Sequence, residues 1–187
     1  MLEKQPKYTV ADAIRSYEDE VNSVIPFWKT AVNGIKEKYG CFCQWYNSNF
    51  SDSERTYSCA EQYMMYKKAM LFNDSDTAQK IMDAKYPGDM QKLGRQIANY
   101  DQEIWNKYKY GIVYTGNILK FTQNKDIQNI LLNTFDNILC EASPYDKIWG
   151  IGMEASDTRV QNPKQWYSDA QNLLGFALME VRDKIKE

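Results

Sequence analysis

Two charged side chains, Glu61 and Lys68, stand seven positions apart in a stretch that contains no helix breaker, Ser58-Cys59-Ala60-Glu61-Gln62-Tyr63-Met64-Met65-Tyr66-Lys67-Lys68-Ala69-Met70-Leu71-Phe72. Rich in Met, Ala, Leu, Lys and Glu, the run is expected to be helical. Both charges fall on one arc with Met64, Met65, Leu71 and Phe72, about 20° apart in projection and about 10.5 Å apart along the axis. That spacing is too long for a tight helical ion pair and suits a ligand gripped between an acid and an amine. The opposite face, with Tyr63, Tyr66 and Met70, is hardly more polar, and a helix apolar on nearly every side is usually buried. A buried charge is costly unless it is paired or used. The pair is therefore either bonded to other helices or part of a site, and Glu61 has a third reading: with Ser58 it matches a capping box closing its own helix.

A second unusual stretch, Glu141-Ala142-Ser143-Pro144-Tyr145-Asp146-Lys147-Ile148-Trp149-Gly150-Ile151-Gly152, crowds carboxylates, aromatics and glycines into a segment that cannot be one regular element. It has the character of a site loop. The chain has no histidine, which removes Ser-His-Asp and Cys-His nucleophilic sites and imidazole acid–base chemistry. Catalysis has to use carboxylates, lysine, arginine or tyrosine. Cys41, Cys43, Cys59 and Cys140 contain a single close pair, a poor zinc signature, so reduced thiols and no metal site are expected. The formal charge of -2 gives no general attraction to nucleic-acid backbone or anionic membrane. No apolar run approaches the roughly 20 residues that cross a bilayer, and the first residues lack the core of a signal peptide. A cytoplasmic protein without a membrane partner is expected. The 14 tyrosines and 5 tryptophans either fill a core or offer a surface on which flat rings stack.

The elements that must position these groups are read mainly as helices. Thr9 caps a helix over 10–22, and residues 27–38, containing Gly34, read as a helix broken into a short strand. Residues 41–46 have strand character, and a polar turn then leads into the central helix. Further helices are expected over 77–85, stopped by Pro87-Gly88, then over 90–110, 112–123 and 127–139, with a final amphipathic helix over 170–185. Arg95 beside Gly94 either meets a phosphate or carboxylate or is an exposed helix charge. Trp105 is core or a clamp on a ligand. Lys107, Lys109 and Lys120 could line a local basic groove. The expected architecture is one compact, mainly α domain with at most a small β-hairpin.

Taken in order, several pieces resemble one family: Gln44-Trp45-Tyr46, Ser58-Cys59-Ala60-Glu61-Gln62, Lys68-Ala69, Leu93-Gly94-Arg95, Trp105 and Lys120-Phe121-x-Gln123-Asn124, followed by the whole 141–152 loop, Asn172-Leu173-Leu174-Gly175 and Leu178-Met179-x-Val181-Arg182. The sequence looks like the YbiA-like family, also called NADAR for its proposed link to NAD and ADP-ribose. The resemblance covers roughly 43–182, which implies a domain over 41–187 and an N-terminal helical extension, 1–40, packed on it. Two departures stand out. Many members have Glu-His where this chain has Glu61-Gln62, and the family's frequent Trp-x-Gly-x-Asn is replaced by a longer spacing between Trp166 and Asn172.

The resemblance implies an N-glycosidase that cuts a ribose C1–nitrogen bond. Some members are similar to enzymes that remove ADP-ribose from modified guanine bases in nucleic acid, others to enzymes that cleave phosphoribosyl-amine intermediates of riboflavin synthesis. Partners would be a small nucleotide-like substrate, ADP-ribose or a phosphoribosyl compound, and ADP-ribosylated nucleic acid. No cofactor or metal is called for. The competing class is a non-catalytic module that binds NAD or ADP-ribose. Breaking the bond needs an anion near C1 and a proton source at the leaving nitrogen, for which Glu61 and Asp146 are candidates, either one as the acid. Lys68, desolvated, could instead form a Schiff base with the ring-opened sugar. Arg95 and Lys120 would hold phosphate, Trp105 or Trp149 would stack on the base, and Gly150 and Gly152 would let backbone approach the ligand. Trp45, Gln123, Asn124, Glu141 and Asn172 complete the expected ligand-binding set.

Overall fold

Thr9 opens the first helix through a capping box, its hydroxyl accepting the Asp12 N–H while the Asp12 carboxylate takes the Thr9 N–H. The computed structural model describes residues 2–187. In chain order the first elements are α1 (Val10–Glu18), β1 (Val24–Phe27), β2 (Ala31–Val32), β3 (Ile35–Lys36), β4 (Phe50–Ser51) and β5 (Thr56–Tyr57). Then follow α2 (Ala60–Leu71), α3 (Ser75–Asp83), α4 (Pro87–Gly94), α5 (Gln102–Gln123), α6 (Lys125–Leu132), β6 (Ile138–Glu141) and α7 (Leu173–Lys186). The protein is mainly α, as its periodicities predict, and its strands form short two-stranded pairs.

Boundaries differ from expectation where turn chemistry or tertiary pairing outweighs period. The first helix ends at Glu18, and Glu20 takes a left-handed conformation. Residues 27–38 form a β2–β3 hairpin turning through Asn33-Gly34, both at positive φ, the backbone such two-residue turns require. A 3-10 turn, Gly40–Phe42, stands where a strand was expected. Pro87-Gly88 begins a helix instead of ending one, because Pro has no N–H to lose in the first turn. The expected 90–110 helix is interrupted after Gly94 and restarts where the Asp101 carboxylate accepts the Ile104 N–H at 2.9 Å. The helix expected over 127–139 stops at Leu132, and Ile138–Glu141 is a strand parallel to β1, Val24 opposite Ile138.

The chain divides into two units, one comprising the segment up to Gln5 together with Gln44–Asn124, the other Pro6–Cys43 and Lys125–Glu187. In the first, α2 is packed by α3, α4 and α5, and its buried residues run around the whole helix, Ala60 to Tyr66 and Ala69. Gly116 on α5 permits this closeness: a Cβ there would lie 2.6 Å from the Tyr63 ring. The β4–β5 hairpin is held by Asp52, whose carboxylate meets Tyr57 Oη at 2.9 Å and Lys67 Nζ at 2.8 Å. In the second unit α7 backs β6, and its residues from Leu173 to Arg182 are buried. Arg182 donates from Nη1 to Thr134 Oγ1 and the Asn137 carbonyl, both at 2.8 Å, tying α7 to the turn before β6.

Candidate active site

Glu61 and Lys68 sit on α2 as the seven-residue spacing requires, and neighbouring helices enclose them. The capping box does not form. Cys59 is the N-cap and gives no side-chain bond; the Ser58 N–H is taken by Gln62 Oε1 at 2.8 Å. Gln62 also accepts from Ser58 Oγ and donates from Nε2 to the carbonyls of Ile81 and Met82. The Gln62 amide thus pins the first turn of α2 to the end of α3, and Glu61, 3% exposed, does not close its own helix through a capping box.

Lys68 is half-buried. Its Nζ donates to the Gly94 carbonyl at 2.8 Å, with the ring centroids of Tyr100 at 4.5 Å and Trp105 at 5.3 Å. Burial lowers the pKa of this ammonium from the ordinary lysine value, Glu61 opposes that and Arg95 adds to it. Trp105, on α5, is 8% exposed and forms one wall beside the amine. Lys120, also on α5, is completely buried, with the Phe121 and Tyr46 rings at 5.2 and 5.8 Å. Burial pushes the Cys59 thiol at the start of α2 up, with Glu61 reinforcing and Lys120 opposing that shift. Glu61, Lys68, Trp105 and Lys120 are therefore all built into one unit.

The remaining expected residues have other placements. Arg95 follows the last turn of α4, exposed, with Nη2 bonded to Gln91 Oε1 at 3.1 Å. Lys120 points inward, Lys107 pairs with Glu3 and Lys109 bonds Asn106, so the three lysines make no common basic groove. Gln123 brackets Ser51, accepting its N–H and donating to its carbonyl at 2.8 and 2.7 Å, and Asn124 donates to the carbonyls of Asn49 and Lys120. Both tie the end of α5 to the hairpin segment. Trp45 is 43% exposed.

The 141–152 loop belongs to the second unit and is internally braced. Asp146 Oδ1 accepts the N–H groups of Ile148 and Trp149, each at 2.8 Å, and the loop closes through Ile151 N–H to the Glu141 carbonyl and Gly152 N–H to the Asp146 carbonyl. Carbonyls 147–150 in turn accept N–H groups from Gln171 to Leu174, meeting donors that the start of α7 would otherwise leave open. Asn172 is fully buried, accepting the Glu141 N–H and donating to the Leu139 carbonyl. A Cβ on Gly150 would lie 2.5 Å from the Glu141 carbonyl oxygen, so this glycine serves the loop's own close approach. Trp149 is half-buried on the same loop.

Tyr100 and the Gly94 carbonyl escaped the sequence reading, since nothing in residue type marks either as a neighbour of an amine. Among the described residues no group of three or more His, Cys, Asp or Glu could hold a metal, and no helix is long and apolar enough to cross a membrane.

A family model described as the NADAR domain matches residues 26–186. An N-glycosidase of Acanthamoeba polyphaga mimivirus is 41% identical over 148 residues, covering 76% of this chain and 86% of that protein. The chloroplastic riboflavin biosynthesis protein PYRR of Zea mays is 31% identical over 114 residues, 59% of this chain and 16% of that much longer protein. The solution structure of the Escherichia coli protein YbiA has the same fold, with a TM-score of 0.67 at 22% identity over 88% of this chain and 86% of that one.

Proposed function

The chain belongs to the NADAR family, and from that premise we propose that it is an N-glycosidase, a hydrolase that cuts a ribose C1–nitrogen bond. The observation that carries the reading is Lys68, an amine drawn out of water against a carbonyl and two rings, on the helix that also buries Glu61. A surface lysine stays protonated and does not attack carbon; desolvation raises the share of neutral, nucleophilic amine.

In the proposed course the ribose ring of the substrate opens, the C1–O bond breaking as the attached nitrogen forms a double bond to C1. The neutral Lys68 amine adds to C1. One of its protons passes to the ring oxygen freed by the opening, Glu61 in its acid form gives one to the departing nitrogen, and the C1–nitrogen bond breaks, leaving C1 joined to Lys68 as a protonated imine. Water then adds to the imine, the Glu61 carboxylate takes a proton from it, and the lysine leaves as the free amine. The released aldehyde closes to the ribose hemiacetal. This route needs a leaving nitrogen with a lone pair available for ring opening, which an amine-linked base supplies.

Two substrates fit that requirement: ADP-ribose attached to a guanine in nucleic acid, and a phosphoribosyl-amine intermediate of riboflavin synthesis. The name of the maize relative favours the second. We assign no cofactor. The test incubates the protein with both compounds and measures the released base. Glu61→Gln and Lys68→Ala should each lower turnover at least ~100-fold, the usual scale for acid–base groups, with helicity unchanged by circular dichroism. Borohydride added during turnover should leave a sugar-sized mass on Lys68. Wild-type rates in both variants would remove this mechanism; tight ADP-ribose binding with no base released from either compound would support the non-catalytic module instead.

A further inference from the structure

A cleft of about 580 Å³ lies at the start of α2, in the first unit. Its floor includes Tyr57, Cys59 and Gln62; its rim carries Trp45, Asn47, Asn49 and Lys85. The volume is within the range of small-molecule sites. Cys59 and Gln62 flank Glu61 in sequence, so the turn that presents the carboxyl of the proposed mechanism also forms part of this wall. The rim is unlike an anion trap, since Asp83 stands with Lys85 and their charges offset. What it offers is a 43% exposed indole, two exposed carboxamides and the hydroxyls of Thr56 and Ser58. An aromatic face with amides beside it suits a flat heteroaromatic ring, the ring stacking while the amides meet its polar edge.

We infer that this cleft binds a nucleobase stacked on Trp45, with Asn47 and Asn49 on the base edge. The inference rests on the N-glycosidase reading for its role, as a second base-holding subsite beside the reacting one, and on the cleft alone for its existence. The base can come from the small substrate itself or from a neighbouring position of a nucleic-acid strand.

Gly88, the second residue of α4, gives a way to close the cleft without touching Glu61 or Lys68. A Cβ placed there meets only Trp45 Cη2, at 3.7 Å, an ordinary contact, so Gly88→Leu puts its branch against the indole at the mouth. The experiment measures binding of GMP and of an unmodified guanine-containing single-stranded hexanucleotide to the full chain by calorimetry. Wild type should bind at least one of them saturably, and Trp45→Ala and Gly88→Leu should each weaken that binding about 10-fold, toward the low end of what a single stacked base contributes. Binding of GMP as tight as that of the hexanucleotide assigns the ring to the small substrate; binding of the hexanucleotide alone assigns it to a strand. No saturable binding by wild type, or wild-type affinity in either variant, overturns the inference. Failure of the enzymatic reading shows separately, as absence of turnover by a wild-type protein whose cleft still binds.

Discussion

Lys68 has its charge set by groups that can be changed one at a time. Burial holds its pKa below the ordinary 10.5, Arg95 lowers it further and Glu61 raises it. If the neutral amine is the attacking form, kcat/KM, which reports the free protein's groups, must rise with pH along a limb centred on that depressed pKa. Arg95→Ala removes a neighbouring positive charge, so the limb should move to higher pH and the rate near pH 7 should fall. Arg95 is exposed, so its loss should leave stability nearly unchanged. A pH profile of kcat/KM indifferent to Arg95→Ala would mean that deprotonation of Lys68 does not control the reaction. The placement of Glu61 and Lys68 on one helix was legible because spacing alone fixes it. The identity of their neighbours was not. Tyr100 and the Gly94 carbonyl reach Lys68 from the segment between α4 and α5, whose path follows from packing. The same holds for Gln123 and Asn124, read as ligand residues because of the company they keep in sequence, yet bonded to the backbone of the hairpin segment.

At the scale of elements, the 141–152 loop is a bracket mounted on β6 and on the start of α7, and Asp146 is the brace inside it. Two roles of that carboxylate separate by substitution. Asp146→Ala leaves two backbone donors without their acceptor and should cost about 1–3 kcal/mol, read as a lower thermal midpoint. Asp146→Asn keeps an acceptor oxygen and should stay close to wild-type stability. If bracing is the whole role, the Asn variant also keeps wild-type turnover; a loss of ~100-fold with the midpoint unchanged would make Asp146 an acid–base group. The α2 helix, a run of helix formers without a breaker, and α7 were readable to within a few residues. The β1–β6 pair was not, because Ile138-Leu139-Cys140 is a short apolar run that period cannot tell from helix, and its partner strand lies more than a hundred residues earlier in the chain. Pro87-Gly88 misled for a different reason: the same dipeptide ends one helix and suits the first turn of the next.

For the whole molecule, the decisive quantity is charge. The chain carries a formal -2, and the lysines that could have made a local exception are engaged: Lys107 with Glu3, Lys109 with Asn106, and Lys120 inside the fold. A protein that holds a strand by its phosphates loses affinity steeply as salt rises, by a log–log slope of about -0.7 for each single-strand phosphate neutralised. With Lys85 as the one cation among the described residues on the rim of the base-binding cleft, raising salt from about 50 to about 200 mM should weaken hexanucleotide binding by roughly threefold, where six phosphate contacts would cost on the order of several hundredfold. Turnover of a small ribosylated amine, measured over the same range, should barely change. Calorimetric titrations at the two salt concentrations check this directly. A steep loss would mean that a strand is held along a basic track and that stacking on Trp45 is secondary; a shallow one means recognition rests on rings and amides, which an acidic chain with 14% aromatic residues is equipped to provide.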